Sequence, residues 1–504
     1  MSRRPVDPTS QGGDPGPDDA SRLVLLRFSG DITIKARGTR FQFVRRLLSN
    51  LRDALESEGV APRIQLSHNR MLIAIPEESV LPALARVFGV QSLSLVERRV
   101  PTQLAAIVEA GALCFRDRVK GKRFAVRARR VGDRSKIPIS AHSVELELGT
   151  ALLPFAAGVD LEHPEVTVGV ELLERETYLF SERIRGHGGL PLGVEGRAVA
   201  LLSGGFDSAV AAWHLLKRGV ALDYVFCNLG GETHLQGVLR VARILACRWS
   251  YGDRPTLHAV DFGPLAAELQ ARTAKRFWQV LLKRLLLRAA ERIALTGRAV
   301  AIVTGDAVGQ VSSQTLQNLA VISRTTAQPI LRPLVGFNKD EIIAVSERIG
   351  TFELSKVVGE YCDLAARRPA TSAALAAVEA EEAKLDPALL ERAVAERGVH
   401  DLRGLEESQL GFPELEIERI PPDAIVVDLS PRDAYQRWHW EGALRLDFPQ
   451  AIQAYPSFDP ARRYVIYCEF GLQSAFLAER MRKAGLQAFH VRGGSRALKR
   501  AASP

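Results

Sequence analysis

The chain has 504 residues, of which 46% are hydrophobic and 25% charged, and 67 Lys and Arg against 58 Asp and Glu give it a formal net charge of +9. These values suit several globular domains with buried cores, and they exclude a largely disordered protein, a collagen and a disulfide-stabilised miniprotein. Five cysteines are too few for a disulfide framework, and they predict a protein of the reducing cytoplasm.

The first part of the chain predicts a tail followed by two small modules. Residues 1–21 are rich in Pro, Gly and Asp and predict a disordered tail without a signal peptide. Residues 22–77 predict a strand, a basic helix and two short strands, and residues 78–185 alternate three helices with three strands. Such mixed order in small units indicates α+β modules without a long parallel sheet.

The middle of the chain predicts a different architecture. A glycine-rich stretch at 186–193 marks a boundary, and strands then alternate regularly with helices in a domain that extends to residue 370. This alternation predicts a doubly wound parallel sheet that binds a ligand at the carboxyl ends of its strands. The most hydrophobic predicted helix, at 277–295, carries a charge every few residues, so it cannot span a bilayer.

The last part predicts a connection and a third kind of domain. Residues 371–415 are rich in Ala, Glu and Lys, a composition typical of a helical linker. Residues 416–504 return to strand–helix alternation and predict a compact α/β domain.

The strongest local motif is SGGFDS at 203–208, between an apolar strand and a helix. Glycines let the backbone approach a phosphate, and the helix start offers unpaired N–H groups to an anion. Ser203 and Ser208 can add hydroxyl donors, and Asp207 can hold Mg²⁺ or position pyrophosphate. A Gly-Lys-Ser/Thr run is missing, so the motif is not a Walker loop.

Further motifs accompany this loop: NLGG at 228–231, VTGDA at 303–307, GQVSSQT at 309–315, LRPL at 331–334 and EYC at 360–362. With SGGFDS they resemble the PP-loop enzymes of the tRNA 4-thiouridine synthetase (tRNA sulfurtransferase) family. The resemblance covers nearly all of the chain after residue 21. It implies a ferredoxin-like domain over 22–77, a THUMP RNA-binding domain over 78–185, a PP-loop adenylation domain over 186–370 and a rhodanese domain over 416–504.

The resemblance also implies an ATP site. The residues that it assigns to ATP are Leu201, Leu202, Ser203, Gly204, Gly205, Asp207, Ser208, Lys283, Gly305 and Gln314. Lys339 matches another family lysine and is expected to support adenylation together with Asp207. Without the resemblance, Lys283 and Lys339 could equally be solvated cations on helices.

Cys468 opens the loop CEFGLQS at 468–474, between a predicted strand and a helix. Loop amides and the helix start favour a thiolate or a persulfide there. A phosphatase of similar architecture needs an arginine six residues after its cysteine, where this chain has Ser474, so the loop resembles that of a rhodanese. The resemblance makes Cys362 a second redox cysteine that forms a disulfide with Cys468 during turnover. The other cysteines, Cys114, Cys227 and Cys247, lie in apolar contexts and are predicted to be core thiols.

Two basic clusters predict an RNA-binding surface in the front modules. One lies within 118–136, and the other includes Arg27 and Arg46 among its cations. From charge alone a solvated face is an equal alternative, but the THUMP resemblance favours recognition of the backbone of tRNA. The cations expected to contact RNA are Lys35, Arg37, Arg40, Lys122, Arg127, Arg129 and Arg130.

The reaction implied by the resemblance is ATP-dependent transfer of persulfide sulfur to the eighth-position uridine of tRNA, through adenylation of that uridine. A cysteine desulfurase would load Cys468, and the tail could also supply a sulfur-carrier protein for the thiazole of thiamine. The implied cofactors are ATP and Mg²⁺. The alternatives are another PP-loop tRNA thiolase and a noncatalytic RNA-binding protein, and a homodimer stays open.

Overall fold

The computed structural model describes residues 22–67, 70–358, 369–411, 414–469 and 471–502, so the predicted tail at 1–21 lies outside the described residues. The described residues form four β-sheets with helices packed on them. By their contacts the first two sheets belong to one compact unit and the last two to a second. In these ranges no helix is both long and apolar enough to cross a membrane.

The first sheet is antiparallel, in the order β4-β1-β3-β2. Its elements are β1 (Arg22–Phe28), α1 (Gly30–Thr33), α2 (Arg37–Ser57), β2 (Arg63–Ser67), β3 (Arg70–Ile75), α3 (Leu81–Arg86) and β4 (Val90–Val96). Apolar residues of β1, β3 and α2 form its core. The order β-α-β-β-α-β is that of a ferredoxin-like module.

The strand β4 corrects the predicted end of this module at residue 77. Pairing with β1 makes β4 a strand of the first sheet, and α3 packs into the core of that sheet, although both elements are predicted to belong to the next module. The strand escapes prediction because its run VQSLSLV contains two buried serines, Ser92 and Ser94, which blur the apolar pattern.

The second sheet has the order β5-β9-β8-β6-β7 and mixes parallel and antiparallel pairs. Its elements are β5 (Arg98–Pro101), α4 (Leu104–Val119), β6 (Arg123–Arg130), α5 (Ala141–Leu152), β7 (Gly158–Val159), β8 (Val166–Leu172) and β9 (Glu176–Phe180). A further strand, β10 (Ile184–Arg185), returns to the first sheet and pairs with β4.

The third sheet has the order β15-β14-β11-β12-β13-β16, and all of its pairs are parallel except β13 with β16. Its elements up to residue 358 are β11 (Arg197–Leu201), α6 (Phe206–Lys217), β12 (Ala221–Asn228), α7 (Gly231–Trp249), β13 (Thr256–Asp261), α8 (Gly263–Arg272), α9 (Trp278–Thr296), β14 (Ile302–Val303), α10 (Leu316–Ser323), β15 (Ile330–Leu331), α11 (Lys339–Ile349) and α12 (Phe352–Val358). The chain runs outward from β11 to β13 and then crosses back to β14 on the other side of β11. The strand order therefore reverses between β11 and β14, where open α/β sheets bind their ligands.

The predicted linker at 371–415 is largely a part of this domain. It forms α13 (Leu375–Glu382), α14 (Pro387–Ala395) and β16 (Gly398–Asp401), and β16 extends the third sheet. Val378, Leu390 and Val394 are buried in the core around α9. The buried Arg284 of α9 donates to Glu382 of α13 at 2.7 Å. The prediction of helices is thus correct for this segment. The segment is not a linker, however, because it packs against α9 and adds a strand to the third sheet.

The fourth sheet is parallel throughout, in the order β17-β21-β20-β18-β19. Its elements are β17 (Glu416–Ile417), β18 (Ile425–Asp428), α15 (Arg432–Arg437), β19 (Leu444–Arg445), α16 (Phe448–Ala454), β20 (Arg463–Tyr467), α17 (Leu472–Lys483), β21 (Gln487–Val491) and α18 (Gly494–Ala502). The fold class predicted from the sequence is confirmed: two α+β modules, a doubly wound parallel sheet and a small α/β tail domain.

Candidate active site

The SGGFDS loop connects the end of β11 to the start of α6, at the point where the strand order reverses. The hydroxyl of Ser208 closes the loop, because it donates to the Gly205 carbonyl at 3.1 Å and accepts from the Ser203 amide at 3.2 Å. The loop is therefore closed directly before α6, and the start of a helix offers unpaired N–H groups to an anion.

Two glycines let the neighbouring segments approach this loop. A Cβ on Gly305, which follows β14, would lie 2.8 Å from backbone atoms of Asp207 and Ser208. Gly204 has a φ of +82°, and a Cβ there would lie 2.6 Å from Cγ1 of Val358. Both positions need glycine, since any side chain would push the adjoining segment away from the loop.

Asp207 lies beside two polar side chains from distant parts of the chain. Nζ of Lys339, the first residue of α11, is 2.9 Å from Oδ1 of Asp207. Nε2 of Gln310 donates to Oδ2 of the same carboxylate at 2.7 Å. The structure thus brings together Asp207 and Lys339, the two residues that the sequence analysis links to adenylation.

Lys283 contacts a carboxylate that the sequence analysis quotes only as part of a motif. Its Nζ is 2.5 Å from Oδ1 of Asp306, and Thr304, Arg332 and Gln314 also donate to Asp306. Burial opposes ionisation of Asp306, but Lys283 and the other donors hold the pKa of this carboxyl below its usual range. Asp306 therefore orients Lys283 and Gln314 at the site.

These residues surround a cavity of about 350 Å³ whose wall is mainly apolar. The predicted ATP residues on its wall are Leu201, Leu202, Ser203, Asp207, Ser208, Lys283, Gly305 and Gln314, whereas Gly204, Gly205 and Lys339 are not on it. Oε1 of Gln314 is buried and has no hydrogen-bond partner among the described residues. A mainly apolar cavity with one orphan acceptor, a lysine and a glycine-lined loop fits a nucleoside triphosphate, whose base amino group could donate to Gln314.

His234 is a residue at this site that the sequence analysis does not identify. It belongs to α7, lines the cavity, and its Nε2 lies 3.4 Å from the carbonyl oxygen of Ser203. Burial lowers the pKa of His234 to about 4, so the ring is neutral at pH 7. A lone histidine without a motif around it gives no signal in the sequence that could have indicated this position.

The three cysteines predicted to be core thiols are only half-buried. Cys227 lies on the cavity wall, Cys114 is near a carboxylate oxygen of Glu97, and Cys247 lies on α7. Burial is the main cause that raises the pKa of each of these thiols. All three are therefore protonated at pH 7, and Cys114 and Cys227 pack against apolar cores as predicted, although none of the three is fully buried.

Cys468 lies between β20 and α17 and is 3% exposed. Its Sγ accepts from the Gly471 amide at 3.2 Å and lies 3.5 Å from Oγ of Ser474. The Ser495 amide donates to the Cys468 carbonyl at 2.9 Å and fixes the loop from the other side. The sulfur thus has an amide donor and lies just before the start of α17, as the sequence predicts for this loop. Cys362 lies outside the described residues.

The tail domain contacts the nucleotide domain within the second compact unit. Glu479 of α17 accepts from the Thr233 amide at 3.0 Å and from the Thr233 hydroxyl, at the start of α7. Leu354 of α12 and Leu415 pack against Ala475 of α17. These contacts join α17, the helix that follows Cys468, to α7 and α12. Both of these helices also lie next to the phosphate loop, α7 through His234 and α12 through Val358.

The predicted RNA-binding cations of the front modules are mostly exposed, but two cations of the basic clusters are structural. Lys122, Arg127 and Arg129 are exposed at or near β6, and Arg37 is exposed at the start of α2; Lys35, Arg40 and Arg130 are half-buried. Arg27, in contrast, is buried and donates to Glu171. Arg46 donates to backbone carbonyls of Leu192 and Gly252.

Four family models match the chain: "ThiI ferredoxin-like domain" at residues 23–94, "THUMP domain" at 104–182, "Thiamine biosynthesis protein (ThiI)" at 193–386 and "Rhodanese-like domain" at 414–501. A solved structure of a 4-thiouridine synthetase in complex with RNA and bound ATP is 31% identical, with a TM-score of 0.67, and covers 75% of this chain and 99% of its own. The solved structure of PH1313 from Pyrococcus horikoshii is 26% identical, with a TM-score of 0.52, over 65% of this chain and 99% of its own.

Full-length relatives match as well. The tRNA sulfurtransferase of Pyrobaculum aerophilum is 37% identical over 473 residues, which cover 93% of this chain and 96% of the relative. That of Aeromonas salmonicida is 34% identical over 473 residues, which cover 92% of this chain and 98% of the relative. Identity at this level over almost the whole of both chains extends through all four sheets, and we conclude that the chain belongs to the tRNA sulfurtransferase family.

Proposed function

We propose that the protein uses ATP to transfer sulfur from a persulfide on Cys468 to the eighth-position uridine of tRNA, which gives 4-thiouridine. The observation that carries the proposal is the presence, in one compact unit, of a phosphate loop with the Asp207–Lys339 pair and of a cysteine whose sulfur accepts an amide hydrogen bond. The similarity to a 4-thiouridine synthetase complexed with RNA and ATP supports the same assignment.

The first half-reaction makes the oxygen of the uridine a leaving group. O4 of the uridine attacks the α-phosphorus of ATP, the bond from that phosphorus to the β-phosphate oxygen breaks, and pyrophosphate leaves. The loop amides and Lys283 hold the phosphates, and Lys339 neutralises the charge that develops near Asp207. Mg²⁺ would add charge neutralisation, with Asp207 as its protein ligand. The described residues contain no group of three His, Cys, Asp or Glu that could hold a metal alone, so the phosphates would complete such a site.

The second half-reaction replaces the activated oxygen. The terminal sulfur of the Cys468 persulfide attacks C4, AMP leaves, and the base stays joined to Cys468 through a disulfide. A thiolate of Cys362 would attack the Cys468 sulfur, which releases 4-thiouridine and leaves a Cys362–Cys468 disulfide for an external dithiol to reduce. Release of hydrosulfide from the persulfide before attack on C4 is the other route, with the same disulfide as by-product.

The partners follow from this chemistry. A cysteine desulfurase would load Cys468, and the family name, which refers to thiamine biosynthesis, supports a second transfer to a sulfur-carrier protein for the thiazole. A tRNA substrate and a thiol chemistry that depends on reduced cysteines favour a cytoplasmic location for the reaction. Another PP-loop thiolase is the second candidate, and the identity of the thiolated nucleoside distinguishes it from the first.

A pair of variants tests whether the two halves are separate. Asp207→Asn should abolish pyrophosphate release that depends on tRNA, whereas Cys468→Ala should release pyrophosphate but form no thiolated tRNA. Both variants should still bind tRNA, which a filter-binding assay measures as the folding control. Undiminished pyrophosphate release by Asp207→Asn would remove the loop from the mechanism, and full thiolation by Cys468→Ala would remove the cysteine.

A further inference from the structure

Two phenylalanines, one of them within the phosphate loop, stack on each other. Phe206, within SGGFDS, and Phe352, the first residue of α12, have ring centroids 5.5 Å apart and ring planes inclined by 30°. Both side chains are half-buried, so part of each ring is open to solvent. Neither ring lines the nucleotide cavity, whose apolar wall includes Leu201, Leu202 and Phe226. The pair is therefore not the contact surface for adenine.

A lysine lies at each of these rings. Nζ of Lys339 is 5.5 Å from the centroid of Phe206, and Nζ of Lys356 is 6.0 Å from that of Phe352. Both lysines are exposed. The nearest acidic neighbours on α11 and α12 are Asp340, Glu341 and Glu353, and Glu341 is occupied in capping α11. Partly exposed aromatic rings combined with exposed lysines are typical of surfaces that bind single-stranded nucleic acid, by stacking of bases and contacts to phosphates.

Lys339 connects this surface to the reaction site. The same ammonium group that lies over Phe206 is 2.9 Å from the Asp207 carboxylate. A base stacked on Phe206 or Phe352 would thus lie near Lys339, and therefore near the Asp207 carboxylate that Lys339 contacts. A base inside folded tRNA cannot reach such a loop until it leaves its stack, and an aromatic surface offsets part of the cost of that step.

We propose that Phe206, Phe352, Lys339 and Lys356 form a platform that receives the extruded target pyrimidine of the RNA substrate, with the base stacked on the phenyl rings and a flanking phosphate on Lys356. The proposal rests on the proposed function and adds where the acceptor base binds. Lys339 then has two roles, because it faces both the acceptor base and the carboxylate of the loop.

The product base provides a direct probe, because 4-thiouridine forms covalent photoadducts with groups that it touches. tRNA that carries 4-thiouridine at position eight is bound to the full chain with ATP, irradiated and digested, and the adduct is located by mass spectrometry. We expect the adduct in the peptides that contain Phe206, Phe352 or Lys356. An adduct found only in other parts of the chain would overturn the proposal.

Kinetic variants test the role of the platform in solution. Phe352→Leu should lower pyrophosphate release that depends on tRNA about tenfold, with unchanged affinity for ATP, whereas Phe352→Trp should restore most of the rate. Lys356→Ala should lower the same rate, and the matched control Lys384→Ala, at an exposed lysine two residues after α13, should not. If the wild-type chain thiolates tRNA and Phe352→Leu does so at the same rate, the platform is wrong and the proposed function stands. If the wild-type chain thiolates no tRNA, the proposed function itself is wrong.

Discussion

Gly305 lies so close to the backbone of Asp207 and Ser208 that a single methyl group at this position would contact the phosphate loop. The clash involves backbone atoms at 2.8 Å, which no side-chain rotation can relieve. The loop would have to move, and its backbone amides would move with it. We therefore expect the affinity for the nucleotide to depend on the lack of a side chain at Gly305.

We predict that Gly305→Ala weakens ATP binding at least tenfold, because the displaced loop loses hydrogen bonds to the phosphates worth about 1.5–3 kcal/mol when the acceptor is charged. Isothermal titration calorimetry measures the affinity. The control is Gly336→Ala, where the new methyl group would meet nothing within 4 Å. Equal affinity of Gly305→Ala and the wild-type protein would contradict the role of this close approach.

His234 makes the stability of the ATP domain depend on pH. Burial lowers the pKa of His234 in the folded protein to about 4. The unfolded chain has an ordinary histidine pKa of about 6.5, so below that pH it binds a proton that the folded protein excludes. Stability is therefore fully present above pH ~6.5 and falls as the pH decreases toward 4, by about 2 kcal/mol at pH ~5.

The variant His234→Gln should lose less stability than the wild-type protein between about pH 7.5 and about pH 5, because its unfolded chain no longer binds a proton at residue 234. Urea unfolding followed by intrinsic fluorescence gives the difference at the two pH values. His163→Gln, at an exposed histidine, serves as the control and should behave like the wild-type protein. A pH dependence that is the same in His234→Gln and the wild-type protein would refute this account.

At the scale of elements, one buried carboxylate joins the two front sheets. Glu171 of β8 is 2.6 Å from Nε of Arg27 in β1, 2.7 Å from Nε of Arg70 in β3 and 3.6 Å from Arg183. Burial opposes the charge on Glu171, but the arginines keep the pKa of its carboxyl below the usual range. The first and second sheets thus share an ionic cluster around the buried carboxylate of Glu171.

Replacement Glu171→Gln should destabilise the front unit by about 3–5 kcal/mol, because it leaves buried guanidinium groups without a balancing charge. Thermal unfolding of the full chain, followed by calorimetry, measures the effect. Glu174→Gln, two residues beyond β8 and 37% exposed in its side chain, should cost less than about 1 kcal/mol. If the two variants have the same stability, the cluster does not stabilise the unit.

The helix α17, which follows the Cys468 loop, contacts the domain of the third sheet through Glu479. We predict that Glu479→Ala lowers the rate of sulfur transfer to tRNA several-fold, since the tail loses its hydrogen bonds to Thr233 at the start of α7. Loading of Cys468 with persulfide and release of pyrophosphate should both stay at the wild-type rate, so the three rates measured in parallel separate docking from chemistry. The control is Glu441→Ala, an exposed position of the same domain. A transfer rate equal to that of the wild-type protein would show that this docking contact is not used.

At the scale of the whole molecule, sequence periodicity and loop motifs predict the order and class of the domains, because each of the two main loop motifs lies between a predicted strand and a predicted helix. The loop of Cys468 and SGGFDS are both confirmed as connections between a strand and a helix. Contacts between distant segments could not be predicted in this way. Asp306 collects donors from α9, from the segment before α10 and from the segment after β15, and no local pattern reports that convergence.

Sequence patterns predict local structure better than they predict packing, and two parts of the chain show this difference. The Ala- and Glu-rich segment after residue 370 is helical as expected, yet Val378, Leu390 and Val394 bury it against α9. Arg27 belongs to a basic cluster in the sequence, but its guanidinium faces Glu171 and not solvent. Composition indicates helix or charge, whereas the partner of each side chain depends on tertiary structure.

The central claim is that nucleotide activation and sulfur delivery in this one polypeptide thiolate tRNA at C4 of a uridine. The most direct measurement is mass spectrometry of nucleosides digested from tRNA after incubation with the full chain, ATP, Mg²⁺, a cysteine desulfurase and cysteine. The account predicts 4-thiouridine, which disappears when ATP is omitted or when Cys468→Ala replaces the wild-type protein. Formation of 2-thiouridine, or of no thiolated nucleoside at all, would contradict it.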